Sequence, residues 1–123
     1  MKLISQIKAW WQSRQPRPPA EWYFVEFDEQ RVVLRASPPG QKAWEQSFLW
    51  ASVIRVCFKD EGPYASDVIY VFTSERTESF VVPTEAKGGG DFFGAIASRG
   101  LFPPAIMAKA ISSTDGGLYC WPP

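Results

Sequence analysis

Trp22-Tyr23-Phe24-Val25-Glu26-Phe27 and Arg31-Val32-Val33-Leu34-Arg35-Ala36, separated only by Asp28-Glu29-Gln30, decide how this chain is read. Tyr23, Val25 and Phe27 alternate against Trp22, Phe24 and Glu26. Val32, Leu34 and Ala36 alternate against Arg31, Val33 and Arg35. Successive side chains of a strand point to opposite faces, so each stretch predicts a half-buried β-strand. The short polar link between them predicts an antiparallel hairpin, although it lacks the glycine that such turns prefer.

Downstream the same code continues. Ser37-Pro38-Pro39-Gly40 reads as a turn, Ala43 to Trp50 as a third strand, and Ile54, Val56 and Phe58 as a fourth that ends at Lys59-Asp60-Glu61-Gly62-Pro63. Val68, Tyr70 and Phe72 mark a fifth strand. Phe80 and Val82 mark a sixth, ended by Pro83, which cannot donate to a ladder. Then the period lengthens. Asp91 reads as the N-cap of a helix carrying Phe92, Phe93, Ile96 and Ala97, with Gly100 as its stop. A second helix is expected from Pro103 or Pro104 through Ile111, and Leu118 to Trp121 as a last strand or an extended tail. Strands followed by helices imply an α+β fold. The expectation is a curved antiparallel sheet or partly closed barrel of about six strands, with one or two C-terminal helices over its open end or one face.

Upstream, Leu3, Ile4, Ile7, Trp10 and Trp11 fall on one face of an α-helix, and Pro16, Pro18 and Pro19 end it. The chain therefore divides into an amphipathic helix with a proline-rich linker at 1–20 and one α+β domain at 22–123. Lys2, Lys8, Arg14 and Arg17 make the first part basic, with no acidic residue before Glu21.

Trp50 to Asp60, Ser66-Asp67-Val68-Ile69-Tyr70, and Val82-Pro83-Thr84-Glu85-Ala86 with the glycines and Phe92 together resemble small uncharacterised bacterial proteins. Some of these are similar to pleckstrin-homology-like domains. The resemblance spans roughly residues 22–113 and rests on turns and core positions, as expected of a fold-level likeness. It implies a bent antiparallel sheet closed by a C-terminal helix, and docking to a membrane or a protein. It carries over no catalytic residue.

Over its 123 residues the chain balances 13 Lys and Arg against 13 Asp and Glu. Backbone affinity for nucleic acid needs uncompensated cations, so a generally basic nucleic-acid binder is excluded. The chain has no His. Cys57 therefore has no imidazole base, and no serine sits in a nucleophile elbow, so no enzyme activity and no cofactor are expected. The two cysteines, Cys57 and Cys120, lie in apolar runs outside any C-x-x-C pattern. They read as buried free thiols in a reducing cytoplasm. No run is apolar enough for a signal peptide or a spanning helix.

Four features remain as candidate sites. The helix carrying Leu3, Ile7, Trp10 and Trp11 can dock on protein, or residues 1–15 can lie on an anionic membrane surface. Trp22, Phe24, Trp44, Phe48 and Trp50 alternate along strands, so they either fill the core or line an aromatic groove that grips a peptide or stacks a sugar. Asp60, Glu61 and Asp67 flank one turn and can form a polar cluster, read first as a solvated hairpin tip and otherwise as an oxygen-rich site for calcium. Gly88-Gly89-Gly90 reads as a flexible connector, because its spacing matches no phosphate-binding fingerprint. The function expected is a non-catalytic domain binding a protein partner, a second copy of the chain included. A peripheral membrane module is the alternative, and a small-molecule or carbohydrate binder using Asp60, Glu61, Asp67 and Glu85 is the third.

Overall fold

Asp28 closes the first hairpin without a glycine. Its carboxylate accepts hydrogen bonds from the backbone N–H groups of Gln30 at 2.8 Å and Arg31 at 2.7 Å, and its own N–H donates to the Arg31 carbonyl at 3.0 Å. An aspartate side chain standing in for a backbone acceptor makes the turn that glycine otherwise would. In the computed structural model, which describes residues 18–61, 66–112 and 116–123, this hairpin joins β1 (Tyr23–Phe27) to β2 (Arg31–Ala36). The helix expected around Leu3, Ile7, Trp10 and Trp11 lies outside the described residues.

β2 also pairs antiparallel with β3 (Trp44–Leu49), placing Ala36 opposite Trp44 and Val32 opposite Phe48. There the sheet ends. A 3-10 turn at Trp50–Ser52 redirects the chain because Trp50 is tied to the first hairpin twice. Its backbone N–H donates to the Gln30 carbonyl and its indole N–H to the Asp28 carbonyl, both at 2.9 Å. A second sheet follows, built from β4 (Val53–Lys59), β5 (Val68–Thr73), β6 (Arg76–Pro83) and β7 (Leu118–Trp121) in the order β6-β5-β4-β7, all antiparallel. The fold is α+β, as the change of period predicts. The described residues form seven strands in two unclosed sheets of three and four, rather than about six in one curved sheet or barrel. Leu118 to Trp121 is a strand, not a tail.

Two helices come after β6: α1 (Gly89–Ser98) and α2 (Pro104–Ser112). Asp91 does not cap α1. The N-cap is Gly88, in the left-handed region at φ 86°, and Asp91 sits in the first turn, where a carboxylate suits the positive end of the helix dipole. Gly100 ends α1 as expected: it takes φ 73°, its N–H donates to Ala97 and that of Leu101 to Ile96, both at 3.0 Å. This pair of bonds is a Schellman cap.

The Gly88-Gly89 step is not a flexible connector. A Cβ at Gly88 would collide with the Val25 carbonyl oxygen, and one at Gly89 would stand 2.5 Å from that of Thr84. The chain passes this close to β1 because Lys87 extends the sheet by one residue. It accepts from the Val25 N–H at 2.8 Å and donates to the Tyr23 carbonyl at 2.9 Å.

One core cluster joins both sheets and α1. Consecutive residues of α1 serve different sheets. Phe92 meets Phe27, Phe48 and Trp50 of the first hairpin and its neighbour strand, while Phe93 stacks on Phe58 of β4 with ring centroids 5.2 Å apart. Phe92 is fully buried. A side chain of this size contributes roughly 1.5–3 kcal/mol through burial, so α1 is the wedge that fastens one sheet to the other.

Candidate functional site

The alternating aromatics do not line one shared groove. Trp44 and Phe48 point inward from β3, Phe24 points outward from β1, and Trp50 leaves the strand for the 3-10 turn. Trp22 and Trp44 are half-buried against Tyr23, with ring centroids 5.8 and 5.5 Å from it. Tyr23 spans the core and donates its hydroxyl to the Val81 carbonyl of β6 at 2.5 Å. Burial pushes its phenol far above the ordinary value, so it stays a neutral donor. Trp50 is only 6% exposed. The Arg99 guanidinium lies 4.3 Å over its ring and donates to the Glu29 carbonyl at 2.9 Å. Between them, Leu49, Ala51 and Leu101 complete an open groove of about 530 Å³. Its floor is apolar and its one cation is already held by a backbone oxygen, so no nucleophile or acid–base pair converges there.

The polar cluster forms in part. Asp60 is 4% exposed at the end of β4 and accepts a hydrogen bond from the Gly116 N–H at 3.1 Å, while its backbone N–H donates to Gly117 at 3.0 Å. Asp67 lies beside it. Burial first, then a hydrogen bond with Asp60 and the charges of Asp60 and Glu85, raise the Asp67 carboxyl above the usual carboxylate range, against the opposing pull of the Glu61 N–H. Glu61 contributes that backbone N–H, at 3.1 Å, rather than its carboxylate. With Lys59 donating to the Gly116 carbonyl, these bonds fasten the chain entering β7 to the end of β4. The cluster is a structural clasp. Among the described residues no group of three or more His, Cys, Asp or Glu side chains is placed to hold a metal ion.

The cysteines are not free. β7 sets Cys120 directly opposite Cys57 on β4, with Cα atoms 4.0 Å apart, and the two form a disulfide across the strands. Sequence distance concealed this: the partners are 63 residues apart, and each apolar run looks like an ordinary buried thiol until the strands are paired. The reducing compartment expected from free thiols loses its support with them.

The disulfide lies in a surface that the sequence reading missed. Along β4 and β5, Val56, Phe58, Ile69 and Val71 face the core, so Val68, Tyr70 and Phe72 face the other way, half-buried, as does Cys57, which is itself buried at 3% exposure. Directly across the four strands runs a row of Val81, Tyr70, Cys57 and Cys120. Val68 and Phe72 flank it. Val81 is 43% and Leu118 59% exposed. Arg55 lies over the Phe72 ring, and Lys59 pairs with Val68, so the apolar patch has basic side chains at both ends of β4. A signal for this face was present. Val68-Ile69-Tyr70-Val71-Phe72 is apolar without interruption, the mark of a strand covered on both sides, and the described residues bury Ile69 and Val71 on one side but leave Val68, Tyr70 and Phe72 half-exposed on the other.

The opposite outer surface, on the three-stranded sheet, sets Phe24, Val33 and Leu49 among charged side chains: Arg35 bridges Glu26 at 3.1 Å and Glu45 at 3.7 Å. Among the described residues no helix is long and apolar enough to cross a membrane. Comparison of the chain with known protein families, with curated proteins and with solved structures gives no match.

Proposed function

We propose that this protein is a non-catalytic interaction domain that docks a protein partner on the outer face of its four-stranded sheet. One observation carries the reading: Val81, Tyr70 and Cys120 form an outward apolar row across the sheet, over the buried Cys57, and the row leads to an exposed Leu118. Contiguous apolar surface rimmed by charge marks protein contact more often than it marks a soluble exterior. Arg55, which donates to the Pro122 carbonyl, and Lys59, which donates to that of Gly116, still place positive charge at the rim, which favours a partner with carboxylates around its apolar centre. The resemblance to pleckstrin-homology-like domains points the same way, since it implies docking rather than catalysis. The disulfide suits an oxidising compartment better than the cytoplasm, and this proposal does not depend on the cytoplasm.

Photo-crosslinking side chains placed at Val81 and Leu118, and at Glu26 and Arg35 on the other sheet, test it in extracts of the native cell. The same discrete protein should be captured from Val81 and Leu118 only, and lost when Val81→Lys is combined with the crosslinker at Leu118, circular dichroism remaining unchanged. Equal capture from both sheets sinks the reading. Binding of the chain to anionic vesicles, abolished by Val81→Lys with Leu118→Lys, replaces it with a membrane role.

A further inference from the structure

We infer that two copies of this chain pair through β3, edge to edge, in an antiparallel register centred on Gln46. A sheet edge carries unpaired backbone donors and acceptors and invites another strand. Three of the four edges here are blunted. Lys87 bonds the backbone of β1, the Tyr23 hydroxyl takes the Val81 carbonyl of β6, and β7 has four residues followed by Pro122-Pro123. β3 has six residues with neither Pro nor Lys, and its described pairing is with β2 alone.

The direction of its free groups follows from the ladder. Trp50 N–H donates to the Gln30 carbonyl, and the register alternates, so Trp44, Gln46 and Phe48 turn their backbone groups toward β2. Glu45, Ser47 and Leu49 turn theirs outward. Only registers that pair these outward residues can form hydrogen bonds with a second β3. A register centred on Glu45 sets two carboxylates face to face. One centred on Ser47 puts Gln46 against the buried Phe48. Centred on Gln46, Glu45 and Ser47 of opposite copies exchange backbone hydrogen bonds, twice by the two-fold symmetry. The two Gln46 amides meet, and on the inner face Trp44 stands opposite Phe48 of the second copy.

The outer face also matches. Arg35 already reaches Glu45, and Arg31 reaches the Ser47 hydroxyl at 3.4 Å. Setting Glu45 beside Ser47 of the second copy therefore continues an alternating polar ladder across the junction and opposes no like charges. This surface is separate from the apolar face of the other sheet, so its failure and the failure of that reading are read from different residues.

Sedimentation of the full chain tests the pairing. A reversible dimer is expected. Ser47→Pro removes an outward N–H at an exposed edge position, where proline is tolerated, and should leave a folded monomer. Gln46→Glu is isosteric and brings two carboxylates together only in the dimer. It should weaken association about tenfold or more at neutral pH, with recovery on acidification into the carboxylate range. A chain that is monomeric at every accessible concentration overturns the inference. So does a dimer that survives both variants or dissolves instead with Val81→Lys and Leu118→Lys.

Discussion

On the outer side of the three-stranded sheet, Arg35 stands between Glu26 and Glu45, and Arg31 beside Ser47. On the outer side of the four-stranded sheet the corresponding row is Val81, Tyr70 and the Cys57–Cys120 disulfide. Both sheets bury one face against the same core and the same helix. They differ in what the second face must do. A polar ladder keeps a sheet in water at little energetic gain, whereas an apolar face costs solubility and is retained where something covers it. The covalent link also falls on the apolar side, where the last strand is short and its non-local pairing needs help.

The largest effect should come from that link. Closing a loop across a separation of 63 residues restricts the unfolded chain by about 4 kcal/mol. Cys57→Ala with Cys120→Ala, or a dithiol reductant, is expected to lower unfolding free energy by about that amount in a denaturant titration. Hydrogen exchange should rise first along β7 and the facing side of β4, with β1 to β3 unchanged. A loss below about 1 kcal/mol would mean that the Asp60 clasp and the ladder hold β7 by themselves.

The same contrast governs how much could be read in advance. The β1–β2 hairpin was legible because its two faces differ: Val32, Leu34 and Ala36 are buried while Arg31 and Arg35 are exposed, so the period of two survives in the sequence. β5 was legible as a strand but not as to side. Val68, Tyr70 and Phe72 look like the core set, yet Ile69 and Val71 are the buried ones. When both faces are apolar, alternation carries no sign. The split into two sheets was hidden because it depends on Trp50 bonding backward to Asp28 and Gln30, a long-range event with no local signature. Gly88 and Gly89 look loose in the sequence for the same reason: the carbonyls of Val25 and Thr84 that forbid a side chain there are known only once the chain is folded. Of the candidate site, the Asp60–Asp67 proximity was legible from the sequence expectation of a hairpin between the fourth and fifth strands. The disulfide and the apolar face were not, because both require β7 to find β4.

Two turn aspartates extend the comparison to pH. In the three-stranded sheet, hydrogen bonds from the Gln30 and then the Arg31 backbone hold Asp28 below the usual carboxylate range. In the four-stranded sheet, burial and the neighbouring Asp60 hold Asp67 above it. Their contributions to stability therefore have opposite signs. Asp28 stabilises the fold above the ordinary carboxylate range, and that contribution is lost as pH falls through its lowered folded value. Asp67 binds its proton more tightly when folded, so stability declines as pH rises from the ordinary range through its raised value. At neutral pH Asp67→Asn is expected to raise the melting temperature and Asp28→Asn to lower it. At strongly acidic pH both variants should converge on the parent protein. Thermal melts across that range check the pair, and a neutral-pH loss in Asp67→Asn would show that its charge, rather than its shape, is what the clasp uses.

The smallest effect belongs to the ladder on the three-stranded sheet. Arg35 and Glu26 have side chains 50% and 66% exposed, so solvent screens their attraction and Arg35→Ala should cost only about 0.5 kcal/mol, less at high salt. The informative variant is Arg35→Leu. It keeps much of the packing along β2, removes the charge between Glu26 and Glu45, and turns the row of Phe24, Arg35 and Glu45 toward the chemistry of the other sheet. If polarity on this face serves solubility rather than folding, Arg35→Leu will match the parent in denaturant midpoint but self-associate more strongly in sedimentation, and adding Ser47→Pro, which removes an edge N–H, will not reverse that association. If instead the unfolding free energy falls by more than about 1 kcal/mol, the ladder is part of what holds β1 to β3 in register, and the two faces differ in mechanics as well as in exposure to water.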